Sequence, residues 1–233
     1  MRIVILLLVI VLMNCEDKQS SKKNIESNTD SASTKTEKIK EEIKDEKKYP
    51  ELTEKNAIPF FSEYEKKNKE SKVRFTTDFG VIDVELFPET KYHRANFIFL
   101  TKQHYFDFTQ FYRVVPNFII QGGNSDNPEI ATRRNRIGRY LLPKDTKHGF
   151  KHDRGVLSMP SSEIENPHKL ASPYEFFIVV QEGGAHHLDG DYTIFGKVVR
   201  GMEVVDEISK QKTDDKEWPL SNVYIQKVEI LKN

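Results

Sequence analysis

Phe111-Tyr112-Arg113-Val114-Val115-Pro116-Asn117-Phe118-Ile119-Ile120-Gln121-Gly122-Gly123 is the most informative stretch of this chain. It sets Arg113 and Gln121 on or near strands, among large apolar residues. An arginine in such company needs a partner, because a charge removed from water without one is costly. For a lone arginine, the ordinary reading is a structural ion pair or a stem that carries its head to solvent. Gln-Gly-Gly, by itself, reads as a strand end and a turn.

The neighbouring texture is that of a β protein. Residues 81–86 alternate, with Ile82, Val84 and Leu86 on one face, which predicts a half-buried strand. Further strands are expected over 110–115, 118–121, 155–159, 175–180, 193–199 and 223–231, separated by Gly, Pro, Asn and Asp clusters. Two helices are expected: 91–103, and 202–210 with Val204, Val205 and Ile208 as its apolar face. Many short strands with few helices suggest a closed barrel or a sandwich.

Composition bounds the function. Lys plus Arg and Asp plus Glu number 36 each, so nothing calls for nucleic acid as a partner. The 15 Phe and 9 Tyr lie overwhelmingly after residue 59, which places the core in the C-terminal two-thirds. A single cysteine, Cys15, excludes an intrachain disulfide.

The N-terminus reads as an address. Met1-Arg2 is a basic start, residues 3–13 are apolar, and Asn14-Cys15 follows. The run is shorter than the roughly 20 residues of a spanning helix and fits the apolar region of an export signal. Leu12-Met13-Asn14-Cys15 resembles a bacterial lipobox, although Asn14 stands in place of the usual small residue. The resemblance implies cleavage after residue 14, lipidation of Cys15, and a membrane-anchored protein of the bacterial cell envelope, facing the periplasm or the exterior. Residues 15–50 are rich in Lys, Glu, Ser, Asp and Thr, and such a segment cannot bury enough surface to order itself. It is expected to be a disordered, solvated tether, spanning roughly 40 Å for a flexible chain of about 50 residues. Its interleaved acids argue against a polybasic lipid patch. Residues 51–71, with Pro59, Phe60, Phe61 and Tyr64, form an N-terminal extension whose packing the sequence leaves open.

The stretch 111–123 closely resembles the signature of the cyclophilin-type peptidyl-prolyl cis/trans isomerases. His104-Tyr105-Phe106-Asp107 leads into it as the family's aromatic approach does. Downstream blocks follow in the family's order: Lys151-His152-Asp153-Arg154-Gly155-Val156-Leu157-Ser158-Met159, then Glu175-Phe176-Phe177-Ile178, then Leu188 to Val198. The resemblance implies an isomerase domain over 72–233, folded as a closed eight-stranded antiparallel β-barrel capped by two α-helices. It implies that Arg113 is the catalytic arginine and that Gln121 holds the substrate backbone. Phe118, Ile119, Phe177 and Leu188 would then form the pocket for the proline ring, with Tyr192 lining it where many members have histidine. Backbone groups around Ser161 would pair with an extended peptide. No cofactor and no metal are implied, the partners are proline-containing polypeptides, and a monomer is expected.

Several positions depart from the family's pattern. Tyr112 stands where His is common, Ile119 where Met is frequent, and Pro160-Ser161-Ser162 where Ala-Asn-Ala is typical. Glu175 replaces a frequent Gln, placing a carboxylate near the groove where it could bind and partly mask Arg113. His187 stands where an aromatic contacts cyclosporin in sensitive members, which implies weak cyclosporin binding. Two rival readings share this fold: a non-catalytic peptide-binding chaperone or scaffold, and a surface lipoprotein that binds a host or envelope partner.

Other signals carry less. His186-His187 with Asp189 and Asp191 lacks the spaced ligands of a zinc site. Asn124-Ser125-Asp126-Asn127 lacks the glycine and terminal glutamate of a calcium loop. Arg133-Arg134-Asn135-Arg136 reads as an exposed loop, and the seven histidines read as scattered, with no triad.

Overall fold

Period-two alternation builds the sheet. In β2 (Lys72–Thr77) Val73, Phe75 and Thr77 are buried, while Lys72, Arg74 and Thr76 are not. The other barrel strands are β3 (Gly80–Leu86), β4 (Thr109–Val115), β5 (Ile119–Asn124), β7 (Val156–Met159), β8 (Phe176–Val179), β9 (Thr193–Arg200) and β10 (Tyr224–Ile230), of which β7 and β8 are buried at every position. In this computed structural model, which describes residues 49–161 and 166–232, these strands form a closed barrel in the order β10-β2-β3-β9-β7-β8-β5-β4. Each strand pairs antiparallel with its neighbours, and β4 pairs back onto β10. Closure leaves no open edge for another chain to extend. The expected barrel is therefore present. The export signal, Cys15 and the tether up to residue 48 lie outside the described residues, as does Ser162.

Strand β2 was not among the expected strands, although its alternation is as regular as that of β3. The expected helices are α2 (Lys91–Lys102) and α4 (Met202–Ser209). Two more occur among the described residues: α1 (Ala57–Lys67) and α3 (Pro128–Ile137). The arginine cluster 133–136 thus lies on a helix, not on a loop. Asn127 caps α3 by accepting the Glu129 N–H at 2.9 Å, and Pro128 occupies the first turn, where its missing N–H costs nothing.

Helix α2 explains the blurred period of its own sequence. A helix covered on one side shows an apolar stripe, and a helix covered on both sides does not. Towards the barrel, Phe97 meets Phe75, Phe106, Phe176 and Phe195 at centroid distances of 5.9, 4.6, 5.8 and 5.6 Å. Away from it, Phe99 meets Tyr49, Phe60, Phe61 and Tyr64 at 4.8, 5.2, 5.8 and 5.4 Å. The extension therefore packs on the domain as its outer layer. Its first strand, β1 (Leu52–Thr53), pairs in parallel with β6 (Gly138–Arg139), and Leu52, Ala57 and Phe61 are fully buried in the main core.

His93 on α2 is fully buried, and neither ring nitrogen has a hydrogen-bond partner among the described residues. Burial pushes its imidazole down to about 4, against the opposing pull of Asp145. The ring is thus held neutral when folded, whereas an unfolded histidine titrates near 6.5. A depressed histidine leaves the unfolded state binding more protons as pH falls, so its contribution is complete above pH ~6.5 and is lost towards pH ~4. We expect urea unfolding to show about 3 kcal/mol lost over that interval, with His93→Met flattening the profile. An unchanged slope in that variant would assign the effect elsewhere.

Candidate active site

The placement of Arg113 depends on an irregularity in β4. Phe111 pairs with Gly122 and Arg113 with Gln121, so two steps on β4 face one on β5. This is a β-bulge, which re-aims the residues it displaces. Phe111 and Val114 both enter the core, although strict alternation would put them on opposite faces. Between them, Tyr112 and Arg113 both reach the outer groove.

Over Ile119–Gly122 of β5 and along β8 the alternation is regular and makes two faces. Ile120, Phe176 and Ile178 belong to the barrel core, while Ile119, Phe177 and Val179 join a second apolar cluster with Val156, Ala185 and Ile194. Phe118, Leu188 and Tyr192 pack against this second cluster. It floors a groove of about 730 Å³. The groove's lining gathers Arg113, Gln121, Phe118, Ile119, Ser161, Glu175, Phe177, Leu188 and Tyr192. His187 stands outside this lining, in the single turn His186–Leu188, and stacks on Phe118 at 5.3 Å and 24°.

Gln121 couples the two bulge residues. Its Oε1 accepts from Arg113 Nη1 at 3.4 Å, and its Nε2 donates to the Tyr112 hydroxyl. Burial, with Glu175 adding to it, raises the Tyr112 phenol well above its ordinary range, so the hydroxyl stays protonated. After Gln121, the chain must pass close to the 174–175 backbone. Gly123 has φ +100°, and a Cβ there would lie 2.3 Å from Tyr174 O. The Gly-Gly pair is therefore a steric requirement as well as a strand end.

The acid on the guanidinium is not the one expected. Glu217 Oε2 accepts from Arg113 Nε at 2.6 Å, whereas Glu175 lines the groove and accepts from Asn124 Nδ2 at 3.3 Å. The Arg113 and Glu217 side chains are 35% and 39% exposed, so water screens the pair and its worth is about 0–1 kcal/mol. The guanidinium is neither buried nor cut off from the groove.

Glu217 comes from a loop that sequence reading did not assign to the site. Asp214 Oδ1 accepts the Lys216 and Trp218 N–H groups at 2.9 Å, and Val114 N donates to Glu217 O at 2.8 Å. Lys216 and Trp218 also line the groove, and the Trp218 ring lies 6.0 Å from Tyr112. One signal was available: the chain's only tryptophan sits among Lys, Asp and Glu, an unusual place for a large apolar ring. Asn124, Arg134, Leu141 and Ser172 complete the missed lining. The Pro160–Ser161 wall is pinned from one side, since Ser161 bridges Ala171 and Pro160 O accepts from Ser172 N at 2.7 Å.

One histidine does sit between a serine and an aspartate, an arrangement that the scattered spacing of the seven does not reveal. His152 Nδ1 lies 2.9 Å from Asp189 Oδ1, and Nε2 lies 3.1 Å from Ser158 Oγ. His152 and Ser158 are fully buried, and the Ser158 hydroxyl donates to Thr193 O at 3.0 Å. A nucleophile needs access to a substrate, so this set is structural. It braces the groove from behind: the imidazole stacks flat on Phe177 at 6.0 Å and 11°. No cluster suited to a metal occurs among the described residues.

Known proteins agree with this geometry. Residues 72–230 match the family model described as cyclophilin type peptidyl-prolyl cis-trans isomerase. A peptidyl-prolyl cis-trans isomerase-like 2 of Rhizopus delemar is 36% identical over 169 residues, covering 72% of this chain and 30% of that protein. The chain thus spans under a third of the length of the first such relatives. A peptidyl-prolyl cis-trans isomerase-like 3 of Dictyostelium discoideum is 35% identical over 167 residues, covering 69% of this chain and 96% of that one. Among solved structures, a Cryptosporidium parvum cyclophilin-type isomerase matches with a TM-score of 0.57 and 29% identity, over 70% of this chain and 99% of that one. A full barrel match, an arginine beside an apolar groove, and sequence blocks in the same order converge: the chain belongs to the cyclophilin-type peptidyl-prolyl cis-trans isomerase family.

Proposed function

We propose that this protein accelerates cis/trans isomerisation of X-Pro bonds in exported or cell-envelope polypeptides, working from a lipid anchor on Cys15. One observation carries the catalytic part: a partly exposed guanidinium, Arg113, on the wall of a groove floored by Phe118, Ile119, Phe177 and Leu188.

The chemistry follows from the amide. Resonance sets a rotation barrier of about 18–20 kcal/mol, and X-Pro bonds exchange unaided in tens to hundreds of seconds. Catalysis requires that the twisted amide be held more tightly than either planar form. Twisting returns the lone pair to the prolyl nitrogen. A guanidinium N–H aimed at that nitrogen, or at the adjacent carbonyl, stabilises the twisted form selectively. The apolar floor grips the proline ring, and Gln121 steadies the backbone beside it. A hundred-thousand-fold acceleration needs about 7 kcal/mol, and one charged donor preorganised in a partly dry groove is worth about 3–4 of these. The step requires no bond to be made or broken.

The anchor rests on sequence: the apolar residues 3–13, the lipobox-like 12–15 and the charged tether. Among the described residues no helix is long and apolar enough to cross a membrane.

Three outcomes are expected. In NMR exchange measurements on an X-Pro peptide, Arg113→Ala slows catalysed exchange by about a hundredfold or more, while the peptide still binds. Exchange at the wild-type rate removes Arg113 from the mechanism, and a wild type that binds without exchange favours a scaffold. Leu188→Ala weakens peptide binding roughly tenfold, the worth of about 1–2 kcal/mol of lost apolar contact, with little change in melting temperature. Radiolabelled palmitate fed to cells marks the wild type and not Cys15→Ala; equal labelling of both rejects the anchor.

A further inference from the structure

Resting on the isomerase reading above, we propose that Glu217 is a positioning residue that aims the Arg113 guanidinium into the groove. The alternative role for an acid on a catalytic arginine is to mask it, and the bonding pattern separates the two.

A masking acid would take the guanidinium's two-pronged face. That arrangement exists elsewhere in this barrel: Arg74 donates through Nε and Nη2 to both oxygens of Asp83, at 2.7 and 2.8 Å. Such a fork-to-fork pair engages the arginine on its most directional side. Arg113 is bound differently. Glu217 takes Nε alone, at 2.6 Å, and Gln121 takes one N–H of Nη1, at 3.4 Å. Both N–H bonds of Nη2 are left without a protein acceptor among the described residues. The two contacts fix the plane of the guanidinium and leave a donor edge open in a side chain that lines the groove.

The carboxylate is itself delivered with precision. Val114, next to Arg113, donates its N–H to Glu217 O at 2.8 Å, so the loop is stitched to the strand that carries the arginine. Glu217 N donates to Asp214 O at 3.0 Å, and Asp214 Oδ1 holds the N–H groups on either side of Glu217 at 2.9 Å. Glu217 adopts φ +67°, a left-handed conformation that glutamate rarely takes unless its surroundings impose it. Arginine has several rotatable bonds, and a loosely held one spends most of its time off target. Fixing it in advance removes that loss from the barrier.

The test uses the full chain and three forms: wild type, Glu217→Ala and Glu217→Gln. Glutamine keeps an oxygen acceptor for Nε and removes the charge. Positioning predicts that Glu217→Ala lowers the catalysed exchange rate at saturating peptide roughly tenfold or more, while peptide affinity changes little. Glu217→Gln restores most of the rate. The Arg113 Nε–H resonance, shifted and protected from solvent exchange in wild type, loses both properties in Glu217→Ala and retains them in part in Glu217→Gln. Unchanged or faster exchange in Glu217→Ala, with the Nε–H signal lost, overturns the proposal. A rate loss that Glu217→Gln does not recover overturns it too, since charge and not aim would then be at work. Thermal melting confirms that each variant folds. A wild type without exchange activity rejects the isomerase reading itself, and this role with it.

Discussion

The displaced pair at Tyr112 and Arg113 is the constraint on which the site depends. A strand that alternated without interruption could not bury both Phe111 and Val114 while sending an arginine to the outside. The bulge resolves that conflict with one extra residue, and the core supplies the force that keeps it there. Phe111 packs against Phe176 at 5.9 Å, and Gly122, opposite Phe111, has no room for a side chain, with a Cβ meeting the Phe111 ring at 3.0 Å. Packing inside the barrel thus sets the direction of a charge outside it, which is why a rigid scaffold carries a site more accurately than a loop.

Behind the groove, a second layer of polar contacts holds the apolar floor in place. Asp189, His152, Ser158 and Thr193 link the turn at 186–191 to β7 and β9, and the imidazole lies flat against Phe177. Tyr192 meets Phe177 edge-on at 5.9 Å and 86°, and the Lys169 ammonium sits 5.5 Å from its centroid. Aromatic pairs of this kind add directional preference to plain burial. The floor therefore has a defined shape.

Much of this was legible in the chain. The strands follow from the alternation of residues such as Ile82, Val84 and Leu86, while the closed barrel, its two capping helices and the groove residues follow from the family resemblance carried by the blocks around Arg113, Phe177 and Leu188. What escaped did so for physical reasons. Helix α2 is covered on both faces and so shows no clean stripe, whereas α1 is covered on one and does carry a short stripe, through Ala57, Phe61 and Tyr64. Helix α3 announces itself through Asn127 and Pro128, but the arginines after them resemble a solvated loop. Strand β2 has a plain alternation that was passed over. Glu217 could not be paired with Arg113 from spacing, because about a hundred residues separate them and the loop's turn depends on side-chain caps and a left-handed residue. Resemblance placed Glu175 near the groove, where it lies, without saying which way its carboxylate would face, and it is Glu217 that accepts from the arginine.

The seam between β1 and β6 has a mechanical side. Leu52 is zipped in parallel to Gly138, and Tyr49 is wedged edge-on against Phe99. A pull applied at residue 49 must therefore shear that seam and unseat the ring before any load reaches β2. The barrel and its groove would keep their dimensions under tension, with the outer helix layer acting as the strain relief.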